Sequence, residues 1–174
     1  MSYISAADLI ESPGAAEIAQ VATPAEHPVV ATDLMTATLA GADRSAFDPA
    51  DALIADRVLD RVNSAIAESA ATINSYLGRY SLPLPTVPLV LQRLARAIVR
   101  YILNAHLLTS SDDSAVIRDH KAAERMLLLI SKGEVTLGLP APAKVAEVMI
   151  DEGSPLLQQS AGDYLDYFAR GRLR

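Results

Sequence analysis

The chain of 174 residues contains no cysteine and no tryptophan, and aromatic side chains make up only 5% of it. Without cysteine it can form neither disulfide bonds nor thiolate metal sites, which excludes zinc ribbons and fits folding in a reducing cytosol. The composition is 51% hydrophobic, with few aromatic residues, and this favours packed helices over a β-sandwich. At this length one folded core is expected.

The sequence also lacks a long apolar run and an excess of basic residues. Its longest strictly apolar run is Met126 to Ile130, whereas a membrane-spanning helix needs about 20 apolar residues. The opening residues MSYISAADLIESPG mix acidic and polar side chains, unlike a signal peptide. A net charge of -6 repels phosphate and disfavours general nucleic-acid binding. We therefore expect a soluble protein without a membrane partner.

Motifs for catalysis are missing as well. The three histidines, His27, His106 and His120, do not have the HExxH spacing of zinc enzymes. Neither phosphate-loop pattern occurs, and there is no G-x-S-x-G elbow. The acidic pair Asp112 and Asp113 is better explained as favourable charge at a helix N-terminus than as a metal site. We expect no catalytic, cofactor-binding or metal-binding residues and no enzyme activity.

The first 47 residues divide into two segments. Residues 1–21 are expected to form short helices, because Ser5 before AADLIE predicts an N-cap and Pro13-Gly14 predicts a break and restart. Residues 22–47 are rich in Ala, Thr and Pro without a sustained period. We interpret residues 22–47 as a flexible insertion with at most a short helix from Asp33 to Ala40.

Residues 48–139 carry the pattern of three longer helices and are the expected core. Asp48-Pro49 is a strong helix start, and Gly78 to Pro88 should run extended because it holds three prolines. A second helix is predicted from Thr86 or Val87 to near Ser110. The apolar stripes are Ile54, Val58, Val62, Ala65, Ile66, Ser69, Ile73 and Leu77 in the first helix, Leu91, Leu94, Ile98, Tyr101, Ile102, Ala105 and Leu108 in the second, and Val116, His120, Ala123, Leu127 and Ile130 in the third, which stops at Gly133.

These patterns predict an all-α protein. Its fold class is a small bundle of three main helices, with short N-terminal helices and an extended C-terminal arm at residues 140–174. Within the arm, the stretch from Val145 to Ile150 is ambiguous between strand and helix.

Three arginines, Arg93, Arg96 and Arg100, share one face of the second predicted helix. A helix that tracks phosphates would need this spacing. The alternative is that they pair with acidic neighbours such as Asp56 or Asp60, within the subunit or across subunits. Because the chain is acidic and aromatic residues are not interleaved, we favour ion pairs and treat all five residues as inter-subunit candidates. A small helical DNA-binding or regulatory protein that uses this face is the alternative function.

The C-terminal arm ends in aromatic and arginine side chains, the types that anchor protein interfaces. It is either a frayed tail or a docking peptide that becomes ordered on contact, and we favour docking. The candidate contact residues are Tyr164, Leu165, Tyr167, Phe168, Arg170, Arg172 and Arg174.

The order of these features is distinctive: a long helix, a Gly-aromatic corner, a double-proline turn, an arginine-bearing helix, a third helix and a Gly-bounded stop. With its corner INSYLGRYSLPLP, its stop KGEVTLGLP and the opening SYISAADLIESPG, the chain resembles the Mu-like prophage head-tail adaptor family. The motif residues with a structural role by this resemblance are Tyr76, Gly78, Arg79, Tyr80, Pro83, Pro88, Gly133 and Gly138.

The resemblance implies a head-completion or connector protein. Such subunits form a homo-oligomeric ring of about twelve below the portal protein, in the neck of the virion, after assembly in the host cytoplasm. A downstream tail-side neck protein docks on the ring, and DNA passes through the lumen without specific binding. The resemblance implies no cofactor. Because ordering flexible arms costs conformational entropy, isolated protein is expected to be monomeric or to form mixed oligomers.

Overall fold

A computed structural model describes residues 2–108 and 114–139 of the chain. These residues are helical and contain no strand, which confirms the all-α fold class. A 3₁₀ turn at Ala7–Leu9 and a wide turn at Ile10–Gly14 come first. The helices are α1 (Ala15–Ala22), α2 (Thr32–Ala40), α3 (Pro49–Tyr76), α4 (Leu89–Asn104) and α5 (Ala115–Lys132).

Helix α3 is the longest element, with 28 residues, or roughly 42 Å at 1.5 Å per residue. It starts as predicted, because the Asp48 side chain accepts a 2.7 Å hydrogen bond from the Ala50 amide. Its predicted apolar stripe is buried from Val58 to Leu77, and Ile54 packs at the margin of the core. Burial of this stripe, rather than helix propensity, stabilises the helix.

Helices α4 and α5 form the other two main rods, and α4 is shorter than predicted. It begins at Leu89, with Pro88 as an extended N-cap. Val87 does not start the helix earlier, because the residue before a proline is disfavoured in a helix. It ends at Asn104, whose side chain donates to the Arg100 carbonyl and so competes with backbone bonding.

The ends of α5 are defined by a serine and a glycine. The Ser114 hydroxyl accepts from the Ile117 amide, and Gly133 ends the helix at a φ of 80°, as its position predicted. Capping by Asp112 and Asp113 lies outside the described residues.

The prediction that residues 22–47 form a flexible insertion is wrong for α2, which packs into the core. Helix α2 contacts both α1 and α3, and its side chains Leu34 and Met35 are 1% and 0% exposed. Gly41 closes the helix at a φ of 65°. Two and a half turns of Ala, Thr and Leu are too short to show a sustained apolar period, so sequence reasoning found the helix but missed its burial.

The N-terminal segment completes the same core. Leu9 and Ile18 are fully buried, and α1 contacts α3 and α4 as well as α2. The Tyr3 hydroxyl donates a 2.6 Å hydrogen bond to the Asn74 side chain in the last turn of α3. Burial raises the pKa of Tyr3 above its ordinary value, so this hydroxyl stays protonated and remains a donor.

Candidate interaction surfaces

A groove runs between α4, α5 and the turn at Ser12 and Pro13. It has a volume of about 330 Å³ and is lined on α4 by the three arginines and on α5 by Asp119 and small or apolar side chains. Its lining residues are Ser12, Pro13, Val90, Arg93, Leu94, Arg96, Ala97, Arg100, Asp119, Ala122, Ala123 and Met126. The predicted arginine face therefore exists, and it borders a concave surface.

Arg100 is held within the subunit rather than by Asp56 or Asp60. Its Nε lies 2.6 Å from Glu17 Oε1 and its Nη2 lies 2.9 Å from Glu17 Oε2, while Nη1 is 3.6 Å from Asp119. The hydrogen bonds to Glu17 raise the pKa of the Arg100 guanidinium. This fork links α1, α4 and α5 and leaves less charge on the face for a phosphate or a neighbouring subunit.

We predict that Glu17 and Arg100 are energetically coupled. A double-mutant cycle with Glu17→Ala and Arg100→Ala should give a coupling energy of about 1 kcal/mol, because the pair is bidentate but partly solvated. Urea unfolding measures each free energy. The matched control is Asp119→Ala with Arg100→Ala, for which the single 3.6 Å contact predicts a smaller coupling. Equal coupling in both cycles would contradict the structural role of Glu17.

Arg96 also lines the groove, and its charge acts on Asp8 in the N-terminal 3₁₀ turn. The Ser5 amide and hydroxyl bind Asp8 at 2.7 and 2.8 Å and lower the pKa of Asp8, and the charge of Arg96 adds to this effect. The Arg96 Nε is buried and has no hydrogen-bond partner among the described residues.

The remaining candidates for inter-subunit ion pairs separate into two groups. Asp56 is engaged within the subunit, since its Oδ1 lies 2.6 Å from Nη1 of Arg44. Arg44 lies in the segment after α2, so this pair joins that segment to α3. Asp60 and Arg93 are both exposed, and neither side chain has a polar partner within the described part of the chain. These two remain available to another molecule.

The structure brings the two parts of the family-like motif into contact: the segment that follows α3 and the segment that ends α5. The Arg79 Nη1 donates a 2.9 Å hydrogen bond to the carbonyl of Lys132 at the end of α5. The guanidinium lies so close to Gly133 that a β-carbon there would be 2.6 Å from Arg79 Cζ. Arg79 therefore satisfies one of the unpaired carbonyls that every helix C-terminus leaves.

Tyr80 makes a second contact between the same two segments. Its hydroxyl accepts a 3.2 Å hydrogen bond from the amide of Leu137, which joins the chain after α5 to the connection that follows α3. Tyr76 is half-buried against the core, and Gly138 adopts a φ of 68°. Arg79 and Tyr80 thus join the end of α3 to the chain that follows α5, a contact that sequence reasoning did not predict.

The motif prolines and Gly78 lie in the connection between α3 and α4. Pro83 and Gly78 are exposed, Pro88 is half-buried at the start of α4, and Leu84 between them is 5% exposed. The connection is therefore held against the core by one buried leucine rather than by its prolines.

The three histidines lie apart, each beside an ordinary side-chain neighbour. His27 and His106 lie 3.1 Å from guanidinium nitrogens of Arg57 and Arg61. His120 stacks on a tyrosine ring, and burial lowers the pKa of His120. Over residues 2–108 and 114–139, no three His, Cys, Asp or Glu side chains are grouped so that they could hold a metal ion.

Two further expectations concern membranes and the arm. No helix in the described part of the chain is long and apolar enough to span a membrane. The arm candidates Tyr164, Leu165, Tyr167, Phe168, Arg170, Arg172 and Arg174 lie outside the described residues, and so does the stretch from Val145 to Ile150.

Comparison with known proteins gives one family and one relative. A family model described as Bacteriophage Mu, Gp36 matches residues 3–150, which include α1 to α5 and both parts of the family-like motif. The Mu-like prophage FluMu protein gp36 of Haemophilus influenzae is 39% identical to this chain over 80 residues. That match covers 45% of this chain and 54% of the relative, so it spans about half of the relative's length.

Proposed function

We propose, from the premise that this chain belongs to the Bacteriophage Mu Gp36 family, that it is a structural adaptor at the head-tail junction of a tailed phage. The family makes it a phage protein. In this proposal, copies of the chain form a ring below the portal, in the neck of the virion, and a tail-side neck protein binds the opposite surface. The subunit acts by its shape and carries out no chemical step.

The observation that supports a structural role best is the use of the motif side chains. Arg79 and Tyr80 direct their polar atoms to the backbone of residues 132 and 137, and together with Gly133 they join α3 to α5. A motif devoted to an active site would instead direct polar groups toward a concave surface. Here the motif holds the end of the long helix α3 against the chain that follows α5.

The charge of the subunit fits a passage for DNA. With a net charge of -6, the average surface repels phosphate, and a lumen lined by such subunits would let the duplex slide rather than hold it. The engagement of Arg100 by Glu17 and Asp119 further reduces the basic character of the arginine face of α4.

The proposed attachment to the portal uses the C-terminal arm. Removing residues 162–174 is expected to leave the helix content unchanged, because α1 to α5 pack on one another within residues 2–139, and to abolish binding to the cognate portal protein. Circular dichroism measures the helix content, and sedimentation or a pull-down with purified portal measures binding.

Two controls separate the side chains of the arm from its length. A full-length variant with Tyr164, Leu165, Tyr167 and Phe168 changed to serine should also lose portal binding. Changing Gln158 and Gln159 to alanine, just before the candidate residues, should preserve it. Normal attachment by the truncated protein would contradict the assignment of the arm.

A further inference from the structure

We infer that neighbouring subunits contact each other through two different faces, one around the groove of α4 and one on the outer side of α3. This inference rests on the proposed ring, and it identifies the partner of the groove as a second copy of this chain. The groove face consists of Leu89, Arg93, Arg96 and Met126. The outer α3 face consists of Leu53, Asp60, Ala67, Glu68 and Ala71.

The groove face combines exposed apolar surface with positive charge. Leu89 is 79% exposed, more than any other large hydrophobic side chain of the described residues. Arg93 follows one turn later and Arg96 two turns later, so all three side chains lie on one side of α4. Arg93 has no polar partner within the described part of the chain, and the Nε of Arg96 is buried without one. The face thus offers an apolar contact at Leu89 and the exposed guanidinium of Arg93 as a donor.

The outer α3 face has the complementary features. Leu53 is 65% exposed, and Asp60 and Glu68 follow at successive intervals of two turns, both exposed. Neither carboxylate has a polar partner within residues 2–108 and 114–139. Ala67 and Ala71 are exposed too, and their small side chains would let a helix of another subunit approach closely.

Two arginines, Arg57 and Arg61, also lie on or beside the outer α3 face. Arg57 is one turn after Leu53, but its guanidinium lies 3.1 Å from the ring of His27, beside the loop before α2. The Arg61 guanidinium lies 3.1 Å from the ring of His106. The carboxylates of Asp60 and Glu68 have no polar partner within the described residues, and they give this face its acidic contacts. Charge complementarity of this kind selects the register and the partner more than it adds affinity.

The two faces do not overlap on one subunit. None of the residues that line the groove belongs to α3, so one copy can bind a neighbour at the groove and another neighbour at α3. Such a head-to-tail contact repeats from subunit to subunit and closes into a ring when the rotation permits. A two-fold symmetric contact would pair each face with itself and would stop at a dimer.

Disulfide trapping tests this arrangement directly, because the natural chain has no cysteine. The variants Leu89→Cys and Leu53→Cys are made in the full chain, mixed in equal amounts with the cognate portal present, and oxidised gently. The mixed disulfide should exceed the two symmetric disulfides together by about fivefold, whereas random collision would give equal amounts. A chain with both substitutions should give a ladder of higher oligomers.

Two control variants address exposure and charge. Leu107→Cys, at 57% exposure and on neither face, should not trap with Leu53→Cys. Adding Arg93→Glu to the Leu89→Cys copy should lower the mixed product about tenfold, and adding Asp60→Arg to the Leu53→Cys copy should restore most of it. Rescue by opposite charges would not follow from damage to the fold.

The outcomes distinguish this interface from the adaptor function. Rings on the portal without the mixed disulfide, or with symmetric disulfides in equal or greater yield, would overturn the interface and leave the adaptor standing. The mixed disulfide and the ladder in a chain that does not bind portal would support the interface and contradict the adaptor.

Discussion

Changing Leu34 to alanine is expected to lower the free energy of unfolding by about 3 kcal/mol. Leu34 lies on α2, is 1% exposed and packs in the common core with side chains of α1 and α3. The substitution removes three carbon atoms and leaves a cavity that the surrounding helices cannot fill completely. Urea unfolding followed by circular dichroism gives the change, which is the largest we predict.

The matched control is Val29→Ala in the loop just before α2. Val29 is 58% exposed, so its truncation should cost less than about 0.5 kcal/mol. If residues 22–47 were a flexible insertion, both substitutions would have equally small effects. A loss of less than about 1 kcal/mol for Leu34→Ala would contradict the packing of α2 against α1 and α3.

Changing Gly133 to alanine is expected to cost about 2 kcal/mol, in two parts. The φ of 80° at Gly133 lies in the left-handed region, which costs an ordinary residue roughly 1 kcal/mol. The new β-carbon would also meet the Arg79 guanidinium at 2.6 Å. Arg79 must then move and lose its bond to Lys132, which adds about 1 kcal/mol. Thermal or urea unfolding measures the total.

Two comparisons isolate the part due to Arg79. Gly41→Ala tests the backbone alone, because Gly41 has a φ of 65° and a β-carbon added there would meet nothing within 4 Å; its cost should be about 1 kcal/mol. In an Arg79→Ala background, Gly133→Ala should cost no more than Gly41→Ala does in the natural chain. If Gly133→Ala and Gly41→Ala cost the same in the natural chain, the contact with Arg79 contributes nothing.

Several features could be derived from sequence because they depend on a few adjacent residues. Asp48-Pro49 begins α3, and Gly41 and Gly133 end α2 and α5 in left-handed conformations. Caps and stops are local, since a side chain or a φ angle acts on amides and carbonyls within one turn. Long apolar stripes were equally readable, and those of α3 and the middle of α4 are buried.

The choice of charged partners could not be read in this way. Arg100 binds Glu17, which is 83 positions earlier, and not Asp56 or Asp60, because α1 lies beside α4 in the folded chain. Asp56 binds Arg44 instead. An exposed carboxylate can pair with any nearby cation at similar energy, so its partner depends on which helices become neighbours.

What the sequence by itself determined was the number and type of the main helices, the start of α3, the end of α5, and the sides on which α3 and α5 are apolar. Only the tertiary structure decided that α2 belongs to the core and that Arg79 binds the end of α5. It also decided that Arg93 and Asp60 have no polar partner among the described residues. Helix signals act over one or two turns, whereas burial and pairing depend on contacts between residues far apart in the chain.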